Sequence, residues 1–498
     1  MQASKFDIRS GLRAFKKMAE LAFAKGDDER AVHFINAYLS TASQFNLNYT
    51  DDGIEALFKQ LAERNLTLSE EWTPNTDRWV LYDDFCTTYV LGLQWLEAMA
   101  SSGKEILYIT TRDISKENRH RNIMEEVSKY ENVTPVVIPQ GKILTRAQDL
   151  YNVISEFKPS KIVLHKYPTH SLSEYVLPVL PQGVKEYLIN LSDQTYWTGA
   201  KSIDYCLEFR PFGSSVSLQR RRLKEDQLLM VPYYPANDNN VFQGFPVEKD
   251  EDRVIIFSGG DYYKTLDEDR TYWSLVRELL TLFPQIVFIF ATKNIPEGDS
   301  EIRKFIADNH FEDRFYYIAF RPDIYQVFAH CDIFMGTCPT SGALMSQLAA
   351  INSKPILQYY APGTPDDETE QAICINDAFS ISHHEKSAFF KEAERLIMDP
   401  DYRKNQGARL KTAMMQKSQF NELVVNTLET NQSLIPIKSF DIDYSGLDNR
   451  WYYLEKAGYT HVLSYIYSLI GAKNCFKYAT SVFLKKNLNR LVSKFSNR

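Results

Sequence analysis

The sequence predicts an α/β protein with two doubly wound units that face each other. Two observations carry this prediction. From about residue 73 onward, short apolar runs alternate with stretches of helical spacing, and a polar stretch at 236–252 divides this alternation into two halves. Continuous apolar strands that alternate with helices are typical of parallel sheets covered on both faces. The first 70 residues show helical spacing only, which predicts an all-α cap.

Length and composition agree with a globular chain of several domains. At roughly 100–200 residues per domain, 498 residues correspond to two to four domains. The chain is 44% hydrophobic and 24% charged, an ordinary balance that argues against disorder. The net charge of −7 argues against nucleic acid as a partner.

Cysteine usage and hydropathy predict the compartment. The six cysteines show no CxxC pair or other close spacing, which favours a reducing compartment. The N-terminal residues carry charges every few positions, so we expect no signal peptide. A run of about 18 apolar residues, as a membrane-spanning helix requires, does not occur. We therefore expect a cytoplasmic protein that is at most peripheral to the inner face of the cytoplasmic membrane.

The predicted organisation has four parts. They are a helical region (1–72), a first Rossmann-like unit (73–248), a second Rossmann-like unit (249–425) and a basic helical tail (426–498).

In the first half, strands are expected at 105–112, 134–141, 161–168 and 186–194, and helices at 118–130, 147–157 and 172–180. In the second half, strands are expected at 252–260, 286–293, 314–320, 332–339 and 354–360, and helices at 272–282, 301–309, 323–330, 341–351 and 386–415. Ligands of such sheets bind beyond the carboxyl ends of the strands, so the cleft between the two units is the expected site.

Two turns in the second half suit a phosphate group. The first is the strand end Ser258-Gly259-Gly260 with Lys264 just beyond it, where glycines allow close backbone approach. The second is Thr340-Ser341-Gly342, where Thr340 or Ser341 is expected to cap a helix whose N-terminal amides attract anions. An ordinary tight turn and a plain capped helix explain the same patterns.

Arg321 follows a predicted strand and could bind phosphate oxygens with both arms of its guanidinium, or be an ordinary surface charge. Asp193 lies where another strand ends and could accept a proton from an attacking hydroxyl, or cap the next turn. Tyr196 and Trp197 offer flat faces for a sugar or fill the core. His165 ends a strand and could be a catalytic residue or a structural residue of the core.

Other chemistries find little support. The sequence has neither the HxxEH pattern of a metal site nor the GxSxG elbow of a serine hydrolase, so no metal or hydrolase triad is expected.

Several ordered segments together resemble a known group of enzymes. They are KIVLHKYP, INLSDQTYWTGAKSIDYCLEFRPFG, LLMVPYYP, FSGGDYYKT, FRPDIYQVFAHCD and TSGALMSQLAA, within residues 100–420. They resemble bacterial surface-polysaccharide glycosyltransferases of the GT-B fold. More distantly, they are similar to the O-GlcNAc-transferase-like group, which includes bacterial cytoplasmic protein glucosyltransferases with a helical N-terminal region.

The resemblance implies a hexosyl- or N-acetylhexosaminyltransferase. Such an enzyme is expected to need no metal and no cofactor beyond a nucleotide-sugar co-substrate, which the resemblance implies is UDP-linked. The implied acceptor is a glycan or a lipid-linked oligosaccharide. Gly259, Gly260 and Lys264 match the donor-diphosphate loop, and Thr340, Ser341 and Gly342 match the pyrophosphate-facing turn. Arg321 falls beside the donor pocket, and Asp193 with Trp197 matches the acceptor side.

Two departures from the family pattern matter. Gln194 stands where the family often has a histidine, and Ala343 stands where it often has a second glycine. Because glutamine cannot act as a base, a catalytically silent GT-B partner of an active transferase stays open as an alternative. A second alternative is a protein O- or N-glycosyltransferase, which binding of a peptide by the helical cap would favour.

The tail contrasts with the acidic body of the chain. Residues 450–498 contain nine basic residues and one acidic residue, so this stretch carries +8 and residues 1–449 carry −15. Within 476–498, apolar residues from Leu484 to Phe495 share one helical face, and lysines and arginines occupy the rest. This pattern predicts a helix drawn to an anionic membrane surface, or one packed on the protein with a solvated basic side.

Overall fold

A computed structural model describes residues 2–86, 91–112, 123–234, 240–248, 252–292, 299–360, 368–373, 381–445, 468–469 and 471. Two parallel sheets with flanking helices make up its centre, which confirms the predicted α/β architecture with two doubly wound units. The segment 476–498 of the basic tail, which was predicted to contain a helix drawn to an anionic membrane surface, lies outside the described residues.

Three helices precede the first sheet: α1 (Gln2–Ala24), α2 (Asp28–Phe45) and α3 (Asp52–Asn65). The carboxylate of Asp51 caps α3 by accepting the backbone N–H groups of Gly53 and Ile54. The apolar faces of these helices pack on the first unit, where the Phe58 ring meets Tyr175 edge-on at 4.9 Å. The helical region therefore shares one core with the first sheet.

The first sheet has seven parallel strands in the order β3-β2-β1-β4-β5-β6-β7. They are β1 (Asn75–Asp83), β2 (Glu105–Thr110), β3 (Val133–Val137), β4 (Pro159–His165), β5 (Lys185–Ile189), β6 (Tyr205–Glu208) and β7 (Leu228–Met230). The helices of this unit are α4 (Gly92–Ala100), α5 (Met124–Val127), α6 (Ile143–Phe157) and α7 (Pro211–Gln219).

The second sheet has six parallel strands in the order β10-β9-β8-β11-β12-β13, the doubly wound order of dinucleotide-binding folds. They are β8 (Val254–Gly259), β9 (Ile286–Ala291), β10 (Phe315–Ile318), β11 (Ile333–Met335), β12 (Ile356–Tyr359) and β13 (Ser382–His383). Its helices are α8 (Thr271–Leu282), α9 (Asp299–Asp308), α10 (Ile324–His330), α11 (Ala343–Ile351), α12 (Glu368–Ile373), α13 (Lys386–Met398), α14 (Pro400–Ala413) and α15 (Lys417–Thr430).

Several elements of the first unit differ from the sequence prediction, among them β6 and β7, which were not predicted. The central strand β1 was not predicted, because its first half is polar and exposed and only residues 79–83 are buried. The helix predicted at 172–180 is wrong: two short 3-10 turns, Ser173–Tyr175 and Leu177–Val179, take its place, and Pro178 lies in the second. Proline supplies no N–H for a continuing helix.

The last helix of the second unit returns to the first. Helix α15 packs against α4, with the rings of Trp95 and Phe420 edge-on at 5.5 Å and an ion pair of 2.7 Å between Lys417 and Glu97. The predicted boundary at residue 425 falls within this helix. The contact holds the two units together across the cleft.

Candidate active site

A cavity of about 410 Å³ lies between the two units, at the carboxyl ends of both sheets. This is the location predicted from the fold class. Six of the residues singled out in the sequence line it together: Asp193, Gly260, Lys264, Arg321, Ser341 and Gly342. The others, namely His165, Tyr196, Trp197, Ser258, Gly259 and Thr340, are not among its lining residues.

The glycine turn after β8 brings the backbone close to the cavity. A Cβ atom at Gly259 would lie 3.0 Å from the carbonyl oxygen of Ala291, and Gly260 has a φ of +148°, so both positions need glycine. The N–H of Gly260 already donates to that same carbonyl at 3.0 Å. Ser258 is buried and its Oγ accepts from the Tyr272 hydroxyl at 2.7 Å. The turn therefore shapes the wall, and the amide of Gly260 is not available to a phosphate.

Lys264 lies in a short 3-10 turn, Tyr262–Thr265, directly after the glycines. Its Nζ is 3.7 Å from the point where a Cβ atom of Gly342 would be. Its backbone carbonyl accepts the N–H of Thr340 at 3.3 Å, which ties the two turns together. Within the described part of the chain, no carboxylate forms an ion pair with this ammonium group. Lys264 thus brings an uncompensated positive charge to the start of α11.

The N-terminus of α11 opens onto the cavity. The expectation that Thr340 or Ser341 caps this helix is wrong: the N-cap is Gly342, whose backbone is extended and which has no side chain to accept a hydrogen bond. The first helical residues, Ala343, Leu344 and Met345, line the cavity. A helix N-terminus carries partial positive charge and N–H groups without intrahelical acceptors, which favour an anion.

Asp193 and Arg210 face each other on the wall of the first unit. Asp193 Oδ2 accepts from Arg210 Nε at 2.6 Å, and Oδ1 accepts from Nη2 at 2.9 Å, with both side chains buried. The backbone carbonyl of Asp193 accepts from the Arg221 guanidinium at 2.7 Å. Burial, helped by the charge of Asp193, raises the pKa of the neighbouring Tyr233, so its hydroxyl stays protonated.

Comparison with known proteins decides the fold. No protein-family model and no curated protein matches the sequence. A mutant O-GlcNAc transferase of Thermobaculum terrenum has a TM-score of 0.52 at 12% identity, covering 85% of this chain and 81% of that one. Anabaena HepE in complex with UDP and glucose has a TM-score of 0.51 at 12% identity, covering 71% of this chain and 99% of that one. A glycosyltransferase of Rickettsia africae gives 0.51 at 12% identity, covering 72% and 98%. This chain has the GT-B fold.

Within the GT-B cleft, Arg321 has a different task from the one expected. Its guanidinium forms two hydrogen bonds with Asp323, at 2.7 and 2.6 Å, and donates to the carbonyl of Gly244 at 2.8 Å. It also lies against the rings of Phe242 and Phe245. Asp323 neutralises its charge, and Arg321 holds the segment 240–248 onto the second unit, so its binding of a phosphate stays a prediction.

The aromatic pair expected on the acceptor side lies in the core. Tyr196 is fully buried, with its ring edge-on to Tyr38 of α2 at 6.2 Å. Trp197 is buried beneath the guanidinium of Arg221, which is 4.8 Å from its ring centre. Tyr196 packs the loop after β5 against the helical region and Trp197 packs it against Arg221, so neither offers a face to a sugar in the GT-B cleft.

His165 is also internal. It is fully buried, its Nδ1 pairs with Asp83 at 2.9 Å, and its ring stacks on Phe85 at 4.5 Å. Asp83 ends β1, the strand that the sequence did not reveal. The position at the end of β4 was read correctly, but the side chain points into packing between strands and not into the cavity.

Sequence reasoning missed two polar residues of the cleft. Thr292 directly follows β9, is 2% exposed and lines the cavity, and its Oγ1 has no hydrogen-bond partner among the described residues. Arg210 follows β6 in the same way. The rule that selected Asp193, a polar residue where a strand ends, would have found Thr292 at the end of the predicted strand 286–293. Arg210 was not recognised as a residue of the cleft, because β6 was not predicted.

Within the described ranges, no group of three or more His, Cys, Asp and Glu side chains is placed to hold a metal ion. Among the helices of the same ranges, none is long and apolar enough to cross a bilayer.

Proposed function

We propose that this chain is a glycosyltransferase that moves a sugar from a UDP-linked donor to a hydroxyl group of a glycan or lipid-linked oligosaccharide in surface-polysaccharide synthesis. The observation that carries the proposal is the convergence of Lys264 and the N-terminus of α11 in the interdomain cavity. The complex of HepE, a protein of the same fold, with UDP and glucose agrees with a nucleotide-sugar ligand.

The donor diphosphate would lie between Lys264 and the first turn of α11. As the glycosidic bond breaks, negative charge grows on the departing diphosphate. A fixed ammonium group and the amides of a helix N-terminus stabilise that charge as it develops, which lowers the barrier. Both groups belong to the chain itself, so the proposal requires no metal ion.

We assign the nucleoside to the wall formed by Ala291, Thr292 and Phe320. This wall combines apolar surface with one buried hydroxyl that has no partner within the described ranges. A buried hydroxyl without a partner is costly, and a ligand that hydrogen-bonds to it removes that cost. A nucleoside carries hydrogen-bond donors and acceptors on its base and on its ribose, and one of them could pair with the Thr292 hydroxyl.

The acceptor would approach from the side of Asp193. Both oxygens of this carboxylate already accept from Arg210, yet each has a second lone pair. We therefore assign Asp193 to orienting the acceptor hydroxyl, with Arg210 fixing the carboxylate in place. His165 has no part in this assignment, because it is buried away from the cavity.

One contact favours the alternative of a protein O- or N-glycosyltransferase. Asn46, at the end of α2, donates to the carbonyl of Gln194 at 3.0 Å and accepts the N–H of Tyr196 at 2.8 Å. The helical region therefore touches the loop that carries Asp193, and a peptide held by those helices would lie near the cleft.

A ligand screen tests the proposal. The melting temperature of the full chain is measured with UDP, other nucleotides and their sugars, because a ligand of the native state raises it by mass action. We expect UDP compounds to stabilise the protein. Lys264→Ala should weaken UDP binding at least tenfold, whereas the control Lys391→Ala, an exposed lysine on α13, should bind as the wild type does. Unchanged UDP affinity in Lys264→Ala would contradict the assignment.

Activity assays separate the alternatives. Slow hydrolysis of the UDP-sugar by the purified protein marks an enzyme, and its absence together with tight UDP binding marks a silent partner protein. Transfer from a radiolabelled donor to peptide pools or to glycan and lipid-linked pools then distinguishes the two classes of acceptor.

A further inference from the structure

A second hollow, of about 330 Å³, lies in the helical region away from the GT-B cleft. One wall comes from α1 and the opposite wall from α2 and the loop before α3. The polar residues that line it are Arg9, Arg13, Lys16, Tyr38, Asn48 and Asp51. The three basic residues are four and three positions apart, so they share one face of α1.

The one carboxylate among these lining residues, Asp51, is already satisfied. Its Oδ1 accepts from Lys16 Nζ at 2.5 Å and from the N–H of Gly53 at 2.9 Å, and its Oδ2 accepts from the Tyr38 hydroxyl at 2.6 Å. Burial alone would raise the pKa of Asp51, but the hydrogen bonds from Lys16 and Tyr38 outweigh it and hold the pKa below its usual value. Asp51 is thus ionised and paired with Lys16.

The two arginines are left with uncompensated charge. Arg9 and Arg13 are exposed, and no carboxylate of the described ranges forms an ion pair with either guanidinium. Like charges four residues apart on a helix repel each other and destabilise it slightly. Guanidinium groups bind phosphate oxygens through two parallel hydrogen bonds, and a dianion between them would turn this repulsion into attraction.

We propose that the hollow between Arg9, Arg13 and the Lys16–Asp51 pair is a binding site for a phosphate dianion, free or as the monoester of a small sugar. The site is separate from the donor cleft and does not depend on the proposed transfer reaction. The loop 46–51 joins the two places, since Asp51 lines the hollow and Asn46 holds the backbone beside Asp193. An anion bound here therefore lies against the same loop that positions the acceptor side of the cleft.

Calorimetric titration of the full chain with inorganic phosphate tests this site. The protein is the Lys264→Ala variant, in which phosphate binding at the donor cleft is weakened. We expect saturable binding of one phosphate. The double substitution Arg9→Gln/Arg13→Gln, added to this background, should lower the affinity at least tenfold. The matched control is Lys17→Gln on the same helix, an exposed residue that pairs with Glu20 and does not line the hollow.

Binding that survives the double substitution, or that falls equally in the Lys17→Gln control, would overturn the proposal, as would the absence of saturable binding. Circular dichroism of each variant checks that α1 stays folded. A parallel titration with glucose 1-phosphate separates the two sources: tighter binding than inorganic phosphate identifies a sugar monoester, and equal or weaker binding identifies free phosphate. Failure of UDP to bind the wild type would leave this result unaffected, so the two proposals fail independently.

Discussion

The ammonium nitrogen of Lys264 lies 3.7 Å from the position that a Cβ atom would take at Gly342, the N-cap residue of α11. Two sources of positive potential therefore converge on a place where no carboxylate of the described residues pairs with Lys264 and no side chain caps α11. A group of opposite charge that fills this space should be stabilising, whether it is a ligand or a side chain.

The substitution Gly342→Asp tests that relationship. Aspartate is a favoured N-cap residue, and the extended backbone of Gly342 suits it, so its carboxylate should cap α11 and pair with Lys264. We expect the free energy of unfolding to rise by about 1 kcal/mol. UDP binding should be lost, because the new carboxylate occupies the place of the diphosphate. Chemical denaturation and a UDP titration measure the two effects.

Gly342→Ala is the control for that variant. An added Cβ meets Lys264 Nζ and Met345 at ordinary contact distance, so alanine should fold normally and reduce UDP affinity only slightly. Equal UDP affinity in the aspartate and alanine variants would show that the anion does not bind at this point.

Arg321 should matter for stability more than for donor binding. Arg321→Ala leaves the buried carboxylate of Asp323 without its partner, and we expect the free energy of unfolding to fall by about 3 kcal/mol. The double variant Arg321→Ala/Asp323→Ala removes the stranded charge and should recover part of that loss, with UDP affinity close to the wild type. A large loss of UDP affinity in the double variant, measured where it is folded, would restore the phosphate role to Arg321.

Glu55 should make stability depend on pH. Burial, and then the charge of Glu174, raise the pKa of Glu55 from 4.5 to about 7. The native state thus keeps a proton that the unfolded chain releases, so the contribution to stability is present below about pH 4.5 and is lost as the pH rises to about 7. Glu55→Gln keeps the oxygen that accepts the N–H of Gly199 and has no charge to bury.

We therefore expect the free energy of unfolding of Glu55→Gln, relative to that of the wild type, to be higher at pH 8 than at pH 5. Urea unfolding at both pH values measures this difference. Glu156→Gln, an exposed residue on α6, serves as the control and should show no such change. A difference from the wild type that is the same at both pH values would refute the raised pKa.

Asn46 should be needed to fix the acceptor-side loop. Asn46→Gly keeps a backbone that tolerates the φ of +47° but removes the hydrogen bonds to Gln194 and Tyr196. We expect a loss of about 2 kcal/mol in the free energy of unfolding, because the buried N–H of Tyr196 is left without its acceptor. The control Lys158→Gly has the same left-handed backbone and an exposed side chain, and should be neutral or slightly stabilising. Equal effects in both variants would assign the loss to the backbone alone.

The strands with continuous apolar runs were predictable, because an apolar run bounded by polar residues indicates a buried strand without knowledge of the strands beside it. The glycine turn at 259–260 and Lys264 were found for the same reason, since a strand end and a nearby cation are adjacent in the chain. The strand β1 was not predicted, because half of it is polar. Asp83, which ends this strand and pairs with His165, was therefore not recognised as its partner.

For other side chains the sequence left two interpretations open, because the groups that contact them could not be identified from the pattern. Arg321 looked like a phosphate ligand until Asp323 and the carbonyl of Gly244 were seen around it. Tyr196 and Trp197 looked like sugar platforms until α2 and Arg221 covered them. Periodicity and strand-end rules were sufficient for the α/β class and for the two turns that face the cleft, because those signals are local. Tertiary packing decided which polar groups remain accessible to a ligand. A charge can be neutralised, and an aromatic ring covered, by a residue that is distant in the sequence.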